Sequence, residues 1–122
     1  MSDEPRNLVV ICTHGIDHEL STIAFTMANG GMTAGMKVSV FLVSSGVDLA
    51  RKGAFDTTHV HPFDSLKELV DDFLKRGGTL WACTPCANAR AYTQEDLIDG
   101  VIITGAGPMH ALIKEGAATI SL

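Results

Sequence analysis

Short, uniformly apolar runs alternate along the chain with stretches whose apolar positions recur every three or four residues. Leu8-Val9-Val10-Ile11-Cys12-Thr13 is rich in β-branched residues and closed by His14-Gly15, the pattern of a strand buried on both faces. Asp17 is placed to cap a helix carrying Leu20, Ile23, Ala24 and Met27 on one stripe, with Gly30-Gly31 as its stop. Lys37 to Val43 is a second strand, running into Ser44-Ser45-Gly46 and a short helix through Val47, Ala50 and Lys52. Periodicity is then lost from Gly53 to Pro62, which is expected to be a loop with room to move. Ser65 and Glu68 stand at capping-box spacing before Leu66, Leu69, Val70, Phe73 and Leu74, a helix that Gly77-Gly78 should end. Thr79 to Ala82 is a third strand and Val101 to Thr104 a fourth; a helix from Pro108 and a strand from Ala118 to Leu122 follow.

Strands alternating with helices predict an α/β fold: a three-layer α/β/α sandwich around a mostly parallel five-stranded sheet, flavodoxin-like in general architecture. In such sheets ligands bind beyond the carboxyl ends of the strands. The loops of interest are therefore Thr13-His14-Gly15, Ser44-Ser45-Gly46, Cys83 to Cys86 and Gly105-Ala106-Gly107.

Composition narrows the classes. A chain of 122 residues, 46% apolar, suffices for one core, so residues 1–122 are expected to form a single domain. The net charge is -5 and the basic residues are scattered, which argues against a nucleic-acid footprint. The opening segment Met1 to Arg6 is polar and acidic, unlike a secretory signal, and no apolar run approaches membrane-spanning length. Three cysteines, Cys12, Cys83 and Cys86, are too few for a disulfide framework, so a reducing, cytoplasmic setting is expected.

In such a compartment a close pair of thiols points to reactivity or metal binding. If Ala82 ends a strand and Pro85 starts a helix, Thr84 falls at the N-cap, Cys86 in the first turn, and Cys83 just outside. The unpaired amides there would favour a thiolate, predicting a depressed thiol pKa for Cys83. Arg90, one turn after Cys86, is placed either to add positive charge near the sulfurs or to pair with an acidic neighbour. The alternative for both cysteines is that of small buried hydrophobes, the reading preferred for Cys12 within its apolar strand.

Together these segments resemble the DsrE/DsrF-like family of sulfur relay and sulfur oxidation over nearly the whole chain. The resemblance rests on Ile11-Cys12-Thr13-His14-Gly15, on Met36 to Val47, on the helix from Leu66 to Gly78, and on Cys83-Thr84-Pro85-Cys86-Ala87-Asn88-Ala89-Arg90. The last stretch is similar to the C-x-x-C-x-x-x-R pattern of one branch, although many relatives carry Arg-Gly where this chain has Arg90-Ala91. The resemblance implies a sulfurtransferase-like carrier: Cys83 holds sulfur as a persulfide, Cys86 resolves it, and donor and acceptor proteins are the partners. It also implies a homo-oligomer, a trimer or a hexamer. The alternative class is a non-catalytic oligomeric module that binds a small ligand, or a thiol-redox module.

His14 and His110 are candidate supporting groups at strand-end loops, able to take a proton from a thiol, or else solvent-facing or capping residues. A zinc site from Cys83, Cys86, His59 and His61 would have the right donor types, but His59-Val60-His61 is shorter than the usual spacing. The Gly105-Ala106-Gly107 fragment lacks a dinucleotide fingerprint, and the first loop offers a flavin phosphate one hydroxyl beside an acid. No cofactor and no metal is therefore expected. Gly30 to Met36 is read as a loop whose Met32 and Met36 serve either an oligomer contact or the core.

Overall fold

A computed structural model describes residues 6–122; the acidic stretch from Met1 to Pro5 lies outside the described residues. Five strands form one sheet: β1 (Asn7–Cys12), β2 (Lys37–Leu42), β3 (Thr79–Cys83), β4 (Val101–Thr104) and β5 (Ala118–Ser121), in the order β4-β3-β2-β1-β5. Every strand pairing is parallel. Four helices connect them: α1 (Glu19–Thr33), α2 (Leu66–Lys75), α3 (Thr84–Ala89) and α4 (Gly107–Lys114). Parallel neighbours need right-handed crossovers. The walk from β1 out to β4 therefore keeps its crossovers on one face, and the return from β4 to β5 carries α4 across the other.

The register shows the two faces. Leu8, Val10 and Cys12 align with Val38, Val40 and Leu42, then with Leu80, Ala82 and Val101. All of these are buried with Phe25 of α1 and Phe73 of α2 in the main core. Phe25 meets Phe73 and Phe55 edge to face, at ring-centroid separations of 5.8 and 6.3 Å. Burying each such ring contributes about 1.5–3 kcal/mol. On the opposite face Val9, Phe41 and Trp81 are buried, but Ile102, next to Trp81 in register, is 55% exposed. Here α4 leaves a groove of ≈ 670 Å³ against Ser39, Thr79 and Trp81, lined on the helix side by Pro108, Ala111 and Leu112.

Three expectations about local structure are corrected. The Gly30-Gly31 pair does not end α1, which runs to Thr33. A Cβ on Gly31 would stand 2.8 Å from Leu8 and 3.1 Å from Val38, so this glycine lets the helix sit close to the sheet. The stop is Gly35, at φ +90°, where Gly35 N–H reaches the Met32 carbonyl and Met36 N–H the Gly31 carbonyl, a Schellman arrangement. Met32 is thus helical, and both methionines pack against the core. The cap of α1 is His18, whose Nδ1 accepts the Leu20 N–H at 3.0 Å, rather than Asp17. The segment from Gly53 to Pro62 has no helix or strand, as expected, but it is anchored: Phe55 is buried in the core and Thr58 is 1% exposed. By contrast Ser65 caps α2 as its spacing indicated, accepting the Glu68 N–H at 3.3 Å.

Candidate functional site

The carboxyl ends of β1 and β2 carry two loops whose backbones touch, and β3 beside them passes directly into α3. A Cβ on Gly46 would stand 2.4 Å from the Cys12 carbonyl oxygen, and one on Gly15 would stand 2.7 Å from that of Ser45. Only glycine fits at either place, so the two loops are fixed to each other by contact. Between them and β3 sits the cysteine pair.

Cys83 is the last residue of β3 and the N-cap of α3, which shifts Thr84 from the expected cap to the first helical position. Pro85 and Cys86 follow in the first turn. Both sulfurs are free and half-buried. The Cys86 Sγ accepts the backbone N–H of Ser44, at the end of β2, at 3.1 Å. Ser44 holds the left-handed φ of +53° there, a conformation uncommon for a residue with a Cβ. Non-glycine residues in that region are over-determined by their surroundings and often mark functional sites.

The depressed thiol pKa expected for Cys83 is overturned. Burial pushes this thiol above its ordinary value, and the neighbouring Cys86 sulfur adds to the effect through hydrogen bonding and charge. The Cys86 amide acts in the opposite direction without reversing it, and Cys83 makes no side-chain capping bond to the helix. The physical reason is that α3 is only six residues long, so its dipole is small, while partial burial of Cys83 disfavours the charged form.

Arg90 takes the second of its two expected roles. Its Nη1 donates to the Cys86 carbonyl at 3.1 Å and its Nε lies 3.5 Å from the Asp48 carboxylate. Asp48 also accepts the Tyr92 hydroxyl at 2.5 Å, and Arg51 lies over the Tyr92 ring at 5.7 Å. Burial, then Asp48, pushes the Tyr92 phenol upward. This clasp ties the end of α3 to the 3-10 segment Ser44–Ala50 that supplies the amide at Cys86. Ala91, directly after Arg90, has φ +58°, a conformation that glycine would adopt without strain.

The remaining candidates stand apart from the sulfurs. His14 stacks on His18 with centroids 4.0 Å apart, and its Nδ1 lies 3.2 Å from the Thr13 hydroxyl. That hydroxyl donates its proton to the Leu122 carbonyl, so His14 must be the donor in the pair. The same bond commits the one hydroxyl that a flavin phosphate would have needed. His110 is exposed on α4, across the sheet. His59 and His61 stack on each other at 3.9 Å, and among the described residues no three His, Cys, Asp or Glu side chains group as a metal site. Cys12 is fully buried, its thiol directed at the His14 carbonyl at 3.5 Å and pushed up in pKa chiefly by burial, as its place in an apolar strand indicated.

Sequence reasoning flagged the Ser44 loop by position but missed its role, because a backbone amide leaves no mark in residue type. Asp48, Tyr92 and Arg51 were missed altogether, since nothing local announces a contact across more than 40 residues such as Tyr92 to Asp48.

An all-parallel α/β sheet with a thiol pair where its third strand passes into a helix defines a class of small strand-end thiol proteins. Within it, this chain belongs to the DsrE/DsrF-like family, whose model matches residues 6–122, a family related to sulfur relay. Its sequence is 30% identical over 106 residues to the uncharacterised protein MK0008 of Methanopyrus kandleri, covering 87% of this chain and 82% of that protein. Among solved structures it resembles the ychN protein of E. coli, with a TM-score of 0.77 at 14% identity over 97% of this chain and 99% of that one. It also resembles MTH1491 of Methanobacterium thermoautotrophicum, a protein of unknown function, with a TM-score of 0.72 at 20% identity over 98% and 100% of the two chains. At these identities the two structures speak for the fold.

Proposed function

We propose that the protein is a sulfur carrier that accepts sulfur as a persulfide at the Cys83–Cys86 pair, with Cys83 the carrying thiol, and passes it to a partner protein. The observation that carries this reading is the pair itself: two free, half-buried sulfurs at the carboxyl end of β3, one of them held by the Ser44 amide. The family membership supports sulfur as the cargo. Incubation with a low-molecular-weight persulfide followed by intact mass spectrometry is expected to show one added sulfur atom. The gain should vanish in a Cys83→Ser, Cys86→Ser double variant and survive in Cys12→Ala. A wild-type protein that gains no sulfur overturns the proposal.

The groove under α4 favours a second reading, a small-ligand module whose thiols are incidental. It predicts ligand binding that is unchanged in the double cysteine variant.

A further inference from the structure

The two sulfurs of the pair are not equivalent. Cys86 projects from the first turn of α3 toward the end of β2, where the Ser44 N–H meets its Sγ at 3.1 Å, a short approach for a sulfur acceptor. That donor cannot turn away. Ser44 is held at φ +53°, and two residues on, Gly46 is pressed so closely on the Cys12 carbonyl that no side chain fits between them. Cys83 faces only the Cys86 amide of its own six-residue helix, which does not offset its burial, and no second element holds a donor on it among the described hydrogen bonds. A fixed N–H donor stabilises an anion and costs no reorganisation when charge appears.

From this geometry we infer that Cys86 is the sulfur that attacks first, its thiolate held by the Ser44 amide, and that Cys83 receives the sulfur from it. The inference rests on the sulfur-carrier reading and assigns the order of the thiols within it. The upward push on the Cys83 thiol, chiefly from burial, fits its second place in that order. The Cys86 thiolate attacks the outer sulfur of a donor persulfide R–S–S–H. The donor S–S bond breaks, the R thiolate leaves with the electron pair, and Cys86 holds the S–S–H group. Cys83 then gives its proton to the departing thiolate and attacks the same outer sulfur. The new Cys86 S–S bond breaks, Cys83 carries the persulfide and Cys86 returns as a thiolate to the Ser44 amide. Sulfur moves as a formally neutral atom in both steps, so neither an oxidant nor a reductant is required.

Alkylation by iodoacetamide at neutral pH reads the thiolate without any sulfur donor, and peptide mapping assigns the site. Cys86 is expected to react first, about tenfold faster than Cys83, because the thiolate is the nucleophile. The fast phase should persist in Cys83→Ser and disappear in Cys86→Ser. Ser44→Gly, which keeps the N–H and suits the positive φ, should retain the fast phase and so separates the amide's role from that of the hydroxyl. Modification of Cys83 first, or a fast phase that survives Cys86→Ser, overturns the order of the thiols. Persulfide loading supplies the second arm. Cys83→Ser should load on Cys86 at the wild-type rate, whereas loading of Cys86→Ser at the wild-type rate overturns the inference. Absence of loading in the wild type, with Cys86 still alkylated first, sinks the carrier reading and the relay step while leaving the thiolate assignment supported.

Discussion

Single atoms decide the chemistry of this site, and Cys12, two strands from Cys83, shows what full burial does to a thiol. Its thiol is pushed above the ordinary value of 9.0 by burial, so the folded protein keeps a proton that the unfolded chain releases. A raised folded pKa means stability that is intact below the unfolded value and is lost as pH rises through the folded one. Urea-unfolding midpoints should therefore fall as pH rises past the ordinary thiol value of 9.0, and Cys12→Ala, weaker overall, should show a flatter decline there. A second test concerns Ala91. Holding a residue with a Cβ in the left-handed region costs roughly 1–2 kcal/mol. Glycine returns part of that through its freer unfolded state, roughly 0.5–1 kcal/mol. Ala91→Gly should thus stabilise the protein by about 0.5–1 kcal/mol, seen as a higher unfolding midpoint with an unchanged denaturant slope. These features were unevenly legible. The burial of Cys12 followed from its apolar run, whereas the left-handed Ser44 and Ala91 are set by tertiary contacts that residue type does not encode.

The elements themselves were largely readable, because hydrophobic period reports burial directly: every strand and helix expected from patterning is present, with ends shifted by a few residues. The misplacement of the α1 stop is instructive, since a glycine pair was read as a breaker when one of its members serves close helix–sheet packing. Glycine signals a missing Cβ, and sequence does not say whether the reason is a turn or a neighbour. Gly46 is the case with functional weight. Gly46→Ala would force a methyl group against the Cys12 carbonyl, 2.4 Å away on rigid backbone. A cost of about 1–3 kcal/mol is expected in stability, as for overpacking elsewhere. Displacement of the Ser44 amide from Cys86 should also slow Cys86 alkylation, at temperatures where the variant is fully folded by circular dichroism. The Arg90–Asp48–Tyr92 clasp holds the other side of the same gap. Tyr92→Phe should lower stability by about 1 kcal/mol, the scale of one half-exposed hydrogen bond to a carboxylate.

At the scale of the whole molecule the two faces of the sheet are unequal, and this bears on how copies would meet. One face is sealed by α1 and α2 over the aromatic core, whereas the other has α4 alone, leaving the groove beside Trp81 and the exposed Ile102. The outer edge of β4 is blocked: the Gln94 side chain donates to the Val101 carbonyl at 2.6 Å and accepts the Ile103 N–H at 3.3 Å, standing where another strand would pair. A trimer or hexamer of the kind the family resemblance implies would then form through side-chain burial on the α4 face rather than by extending the sheet at β4. Ile102 is the residue to test, being the most exposed large apolar side chain of the core strands and adjacent in register to Trp81. Multi-angle light scattering should show an oligomer for the wild type and a smaller species for Ile102→Glu, since an assembly would have to desolvate the new carboxylate. Gln94→Leu, which frees the β4 edge, should leave the subunit number unchanged in the same measurement. A wild-type monomer, or an assembly indifferent to Ile102→Glu, would rule out this face as the contact.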